Sequence, residues 1–173
     1  MWLKAFGSIL VIITGTYIGF RMANRCKERP KQISHLLSCL AALKSYINYV
    51  AMPLPEALEK AASGLRGPVP DMILYTAEVL KEKGWMTPKE AIEESMSLYR
   101  DRLAFDIPEK EILSVLGANL GLVNREEQYK YIGVIEAQLL KIEYEATRYR
   151  EQNAKMYQYL GVCGSLAVVI LLI

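Results

Sequence analysis

The residues with chemical capacity are few and poorly placed for catalysis. The single histidine, His35, stands among serines and leucines at helical spacing, where a partly exposed helix residue is a more ordinary account than a general base. Glu93-Glu94 and Glu126-Glu127 are adjacent pairs, so their members point to different faces of any helix that carries them and read as solvated. Cys26, Cys39 and Cys163 are odd in number and lack C-x-x-C spacing. They imply neither a disulfide framework nor a zinc site, and they suit a reducing compartment. There is no G-x-x-x-x-G-K-[ST] phosphate loop, no H-E-x-x-H and no nucleophile elbow. Gly117-x-x-x-Gly121 could suggest a phosphate cradle, yet it lies in an apolar helical pattern, where close helix packing is the better account. The expectation is a protein that is not an enzyme and holds no metal or cofactor.

The charges are informative by position rather than by sum. The net charge is +2, but Arg21, Arg25, Lys27, Arg29 and Lys31 face only Glu28 within residues 21–31, whereas residues 32–124 hold nine basic and twelve acidic side chains. This is a collar beside an apolar segment, a membrane-flank signature. A nucleic-acid footprint would need a basic face on the folded domain itself.

The apolar segment in question is 2–20, about 28 Å long as a helix and thus close to the hydrocarbon thickness of a bilayer. Trp2 and Tyr17 sit near its ends, as interfacial aromatics do. A cleaved signal peptide is the rival reading, but only Lys4 precedes the uncharged run while five basic residues follow it, and no A-x-A site lies between. The expectation is a retained transmembrane anchor, 1–22, with its N-terminus outside and the collar, 23–31, cytoplasmic. Gly15 and Gly19 form a small-xxx-small pair suited to close approach of a second membrane helix.

Between the apolar ends every strong periodicity is helical. Ile33, Leu36, Leu37, Leu40, Leu43, Ile47 and Val50 recur at three- and four-residue spacing, an amphipathic helix ending before Pro53. A second helix follows Pro53 and Pro55 and ends at Gly64. After the break at Gly67-Pro68-Val69-Pro70, a third runs from Asp71 to Lys83 with Ile73, Leu74, Ala77 and Leu80 on one face, closed by Gly84. Thr87-Pro88-Lys89-Glu90 reads as a capping box opening a fourth helix toward Asp101. A turn at Asp106 and Pro108 introduces a fifth, carrying Ile112, Leu113, Leu116 and Leu120. Met52–Leu58 and Met86–Ile92 echo one another at a spacing of 34 residues, but without the Trp, Leu-Gly and Tyr of a tetratricopeptide they are two similar helix starts. The expected fold class is all-α, an antiparallel bundle of about six short-looped helices occupying 32–157.

The last helix, capped at Asn124, changes solvent along its length. Ile132, Ile135, Leu139, Ile142, Ala146, Tyr149 and Asn153 step as a heptad seam. Residues 160–173 then carry no charge and form a short membrane segment, 158–173, of about 21 Å from Leu160 onward, ending near the outer headgroups. Arg148, Arg150 and Lys155 hold its near side cytoplasmic. Gly161 and Ser165 form a second small-xxx-small pair, expected to meet Gly15 and Gly19.

At Leu116-Gly117-Ala-Asn-Leu120-Gly121-Leu-Val-Asn124-Arg-Glu-Glu-Gln128, continuing through Gln138-Leu139 to Glu145-Ala146, the chain resembles the stage III sporulation protein AB family of endospore-forming bacteria over its whole length. More loosely, the helical domain is similar to the cytoplasmic domain of the F platform protein of type II secretion and type IV pilus machines. There the matching stretch carries Gly-Glu, whereas here Ala118 follows Gly117, and one such domain stands where the platform protein has two. The resemblance implies a type II secretion F-domain-like bundle in a platform-like part of the channel between mother cell and forespore. It implies a place in the mother-cell-derived membrane, with the domain cytoplasmic beside a secretion-type ATPase of the same operon and the other products of that operon, and a capacity to form oligomers. A membrane-tethered regulatory adaptor that captures a soluble partner on its helical bundle is the alternative. Neither reading involves nucleic acid.

Overall fold

The computed structural model describes residues 2–120 and 125–172; within its helices the side chains of 2–9, 11, 12, 125, 158, 161, 162, 165, 166 and 170–172 are outside the described set. The described residues form six α-helices and one π-helical turn: α1 Trp2–Ser45 running into the turn Tyr46–Val50, α2 Leu54–Ala62, α3 Pro68–Glu82, α4 Pro88–Leu98, α5 Ile107–Asn119 and α6 Arg125–Leu172. No strand occurs among the described residues, so the all-α architecture follows the periodicity. The chain divides into two compact units, Lys31–Tyr144 and Met1–Pro30 with Glu145–Ile173.

In the unit Lys31–Tyr144, α2 packs on α3, α3 on α4 and α4 on α5 in succession. Its core is aliphatic: Ile33, Leu36 and Leu43 from α1, Met72 from α3, and Ile132 and Leu139 from α6 are essentially solvent-free. Phe105, in the α4–α5 connection, is likewise buried. The interior closes to a residual void of about 20 Å³, too small to disturb close packing. Short connections force antiparallel neighbours, and the cross-helix pairs agree: Glu59 with Lys81, Tyr75 with Glu94, and Glu93 with Ser114.

Local chemistry sets most boundaries. At Thr87 the hydroxyl accepts from the Glu90 amide at 3.3 Å while the Glu90 carboxylate accepts from the Thr87 amide at 2.9 Å, a closed capping box. At the next start the Glu109 carboxylate accepts from the Asp106 amide at 2.9 Å, and Glu109 is fully buried. Gly64, at φ 87°, takes the left-handed conformation just past α2.

Several expectations need correction. The third helix begins at Pro68, not Asp71, because first-turn amides have no intrahelical acceptor and prolines cost little there. Leu74 is exposed, and Val69, Met72 and Thr76 join Ile73 and Ala77 on the buried face. Gly84 has no positive φ; Lys83 ends α3 through its amide to the Val79 carbonyl. Pro30 lies inside α1, so the apolar run 2–20 and the amphipathic stretch from Ile33 belong to one continuous helix. Val50 is 56% exposed, since the π-helical turn that it ends adds a residue to the winding and carries the side chain off the seam.

The unit Met1–Pro30 with Glu145–Ile173 pairs the first part of α1 with the last part of α6. Gly19, Ala23 and Pro30 on α1, and Ala146, Ala154 and Val169 on α6, are buried. The expected seam holds at Ile132, Ile135, Leu139 and Ala146 and then departs from the heptad. Tyr149 is 46% exposed while Ala154 is buried, so the stripe steps from Ala146 by fours, which brings small residues rather than a tyrosine to the interface. Among the described residues no helix is long and apolar enough to cross a membrane. The apolar runs 2–20 and 160–173 each include residues outside that set.

Candidate functional site

The sequence singled out the end of α5, and the structure gives that stretch a definite geometry. Leu116, Gly117 and Leu120 are buried. A Cβ placed on Gly117 would stand 2.7 Å from Lys89 Cα and 3.1 Å from Lys89 N, so here the α5 backbone lies directly on the α4 backbone, an approach only glycine permits. Gly121 and Asn124 lie outside the described residues. Gln128, on the first turn of α6, is buried. The motif thus marks a packing contact in the bundle, and no phosphate cradle is formed at Gly117.

Carboxylates read as merely solvated act as cross-braces. The Glu94 carboxylate accepts from Lys83 Nζ at 2.9 Å and from the Tyr75 hydroxyl at 3.2 Å. The Lys83 hydrogen bond holds it below the usual carboxylate range, and Lys83 is raised in return. Burial and then the Glu94 bond raise Tyr75. Its neighbour Glu93 reaches the other way and accepts from the Ser114 hydroxyl at 2.7 Å. Successive residues of α4 therefore tie it to α3 and to α5, as helical geometry requires of adjacent side chains.

Three features carried no sequence signal that a single chain could reveal. Gln32, 4% exposed, donates through Nε2 to the Arg102 carbonyl at 3.1 Å and accepts through Oε1 from the Ala104 amide at 2.7 Å. Its amide fills the hydrogen-bonding capacity of a loop that has no ladder partner. Lys44 bonds Glu136 at 2.8 Å and lies 4.5 Å from the centre of the Tyr129 ring, and the Glu136 hydrogen bond raises its pKa. The third is a pair of exposed aromatics. Tyr49 and Trp85 are 76% and 79% exposed, and the antiparallel pairing of α2 with α3 brings the segments that carry them, before α2 and after α3, to the same end of the unit. Lys31 and the α4–α5 connection, held by Gln32, mark the opposite end.

Within Met1–Pro30 and Glu145–Ile173, Gly15 and Gly19 line an apolar groove of about 650 Å³ with Tyr157, Leu160, Gly164 and Val168. Gly164, which the sequence reading had not singled out, lines the same groove. The side chains at Gly161 and Ser165 are outside the described set. Of the collar, Arg21, Arg25 and Lys31 are exposed, and Lys27 and Arg29 are half-buried. Cys39 is buried, which pushes its thiol up to about 11, and Cys163 is exposed. His35 is half-buried against Gly67. Among the described residues no three His, Cys, Asp or Glu side chains gather as a metal site.

Comparison with known proteins gives one consistent answer. The chain is 32% identical over 170 residues to stage III sporulation protein AB of Bacillus subtilis (strain 168), an alignment covering 98% of this chain and 99% of that protein. A solved structure of stage III sporulation protein AB superimposes with a TM-score of 0.66 at 31% identity, covering 72% of this chain and 98% of that one. The family model for stage III sporulation protein AB matches residues 4–173. The chain therefore belongs to the stage III sporulation protein AB family and has a role in sporulation.

Proposed function

We propose that this protein is a non-catalytic membrane platform in the channel complex between mother cell and forespore. The unit Lys31–Tyr144 projects into the mother-cell cytoplasm and couples to a secretion-type ATPase of the same operon. Two apolar segments, 2–20 and 160–173, fix it in the mother-cell-derived membrane, and the basic residues 21–31 set its orientation by the positive-inside rule. The observation that supports the reading is the pair of aromatics, Tyr49 and Trp85, that stand in solvent at one end of the unit. Tyrosine and tryptophan are the side chains that most often anchor protein interfaces, and these two lie at the end remote from Lys31, where the chain enters the unit. Gly15 and Gly19 support the close pairing of the two membrane helices.

The test is capture of the operon's ATPase by the full chain in membranes containing the other operon products. Tyr49→Ala with Trp85→Ala should reduce capture at least tenfold, as loss of two anchoring aromatics does. Absence of ATPase binding by the parent chain would refute the platform reading. Binding of a soluble protein from outside the operon at the same surface would favour the regulatory adaptor instead.

A further inference from the structure

The geometry points to a binding site for an anionic phospholipid, shared between α1 and α6 and resting on the membrane reading proposed above. Two independent features of this unit support it. One is the apolar groove of about 650 Å³, bounded by Leu10, Gly15 and Gly19 on α1 and by Leu160, Gly164 and Val168 on α6. Its volume lies within the ~300–1,000 Å³ typical of ligand sites, and its lining is almost wholly hydrocarbon.

The other feature is charge. Met22 and Tyr157 are the lining residues nearest the bundle in sequence, and on both helices cations begin beside them. Arg21, Arg25, Lys27 and Arg29 stand on α1, and Arg148, Arg150 and Lys155 on α6, within one compact unit. Glu28, Glu145 and Glu151 are the acids of the same stretches, seven cations to three anions, and one of those acids, Glu151, lies 3.6 Å from Arg150. Arg21, Arg25, Arg148 and Lys155 are exposed. A phospholipid with an anionic headgroup satisfies both features at once: its phosphate and glycerol oxygens lie against the guanidinium and ammonium groups, and an acyl chain runs along the glycine-floored groove. A zwitterionic lipid fills the groove equally well but gains little from the cations. Each cation near an anionic headgroup contributes roughly a fivefold preference.

The experiment uses the full chain in nanodiscs of phosphatidylcholine alone and of equal phosphatidylcholine and phosphatidylglycerol, followed by native mass spectrometry of the lipids retained. Phosphatidylglycerol should be retained at least fivefold over phosphatidylcholine. Arg148→Gln with Lys155→Gln should lower that ratio fivefold or more while circular dichroism shows unchanged helicity, and Arg148→Lys with Lys155→Arg should restore it. Gly164→Trp, which adds a side chain where nothing lies within 4 Å of a new Cβ, should reduce retention of both lipids by filling the groove. Equal retention of the two lipids by the parent chain would overturn the proposal, whatever the variants do. So would displacement of phosphatidylglycerol by millimolar inorganic phosphate, which would reveal a site for free anions. Failure to enter phosphatidylcholine nanodiscs at all would refute the membrane reading itself, a distinct result.

Discussion

Replacing Gly117 by alanine sets two known effects against each other. Alanine is the better helix former by up to ~1 kcal/mol in a helix interior, and by less near a helix end. Propensity alone therefore makes Gly117→Ala neutral or slightly stabilising. Packing says otherwise, because the new methyl would stand 2.7 Å from Lys89 Cα, where an ordinary van der Waals contact begins at 3.4 Å. The atom met is backbone, with no rotamer to change, so α5 and α4 must part by about 0.7 Å along the contact. Overpacking of this kind costs ~1–3 kcal/mol. The expected balance is a destabilisation of about 1–2 kcal/mol, or a fall in melting temperature of about 2–8 °C for a chain of this size, followed by helical ellipticity of the full chain in detergent. Gly133→Ala is the comparison. Its Cβ would meet Lys44 Nζ at 3.3 Å, a side-chain end that Glu136 holds, and needs about 0.1 Å of relief rather than 0.7 Å, so it should melt closer to the parent than Gly117→Ala. A Gly117→Ala protein as stable as the parent would refute the close approach of α5 to α4.

Three further outcomes follow from the same geometry. Gln32→Ala should destabilise by ~2–3 kcal/mol, because the Ala104 amide is left buried without an acceptor; denaturant melts would read it, and faster amide exchange at Ala104 would locate it. Glu94 titrates below its ordinary value of 4.5 because of its bond to Lys83. Its stabilisation is therefore present at neutral pH and lost as pH falls below about 4.5 through the lowered folded value, so Glu94→Gln should shrink the acid-side decline in melting temperature. Cys39, buried and with its thiol raised to about 11, should resist alkylation at pH 8 until the bundle unfolds; peptide mass spectrometry after timed maleimide labelling reads this directly, and rapid native labelling would contradict the burial.

Much of the bundle could be read from the chain because its signals are local. Three-and-four spacing selects a buried face residue by residue, and Ile33, Leu36, Leu40 and Leu43 are buried as that spacing requires. The Thr87 box is three residues long and complete in itself. Gly117 was legible as a packing glycine because it interrupts an apolar helical run that has no turn to need it. What remained hidden depends on partners distant in sequence. Nothing near Gln32 announces a loop 70 residues away, and Lys44 meets Glu136 across 92 residues. Tyr149 fitted a heptad extrapolated from Leu139, but the small residues at Ala146 and Ala154 let the helix settle on a different stripe. For Gly121 and Asn124, outside the described residues, the sequence expectation stands by itself.

The π-helical turn at Tyr46–Val50 has a consequence for how the exposed end arose and how it could be lost. Its defining bond, from the Ala51 amide to the Tyr46 carbonyl, encloses one residue more than an α-helical turn. One residue amounts to about 100° of rotation. Deleting a single residue from this turn would close it to an ordinary helix and swing the following side chains back toward the core stripe that Ile33 to Leu43 define. A one-codon change in length would then move Val50 from solvent to interior without altering any residue's chemistry. The exposure of Val50 is thus set by a count of residues as much as by their kinds, and an insertion or deletion in this turn would change it where a conservative substitution would not.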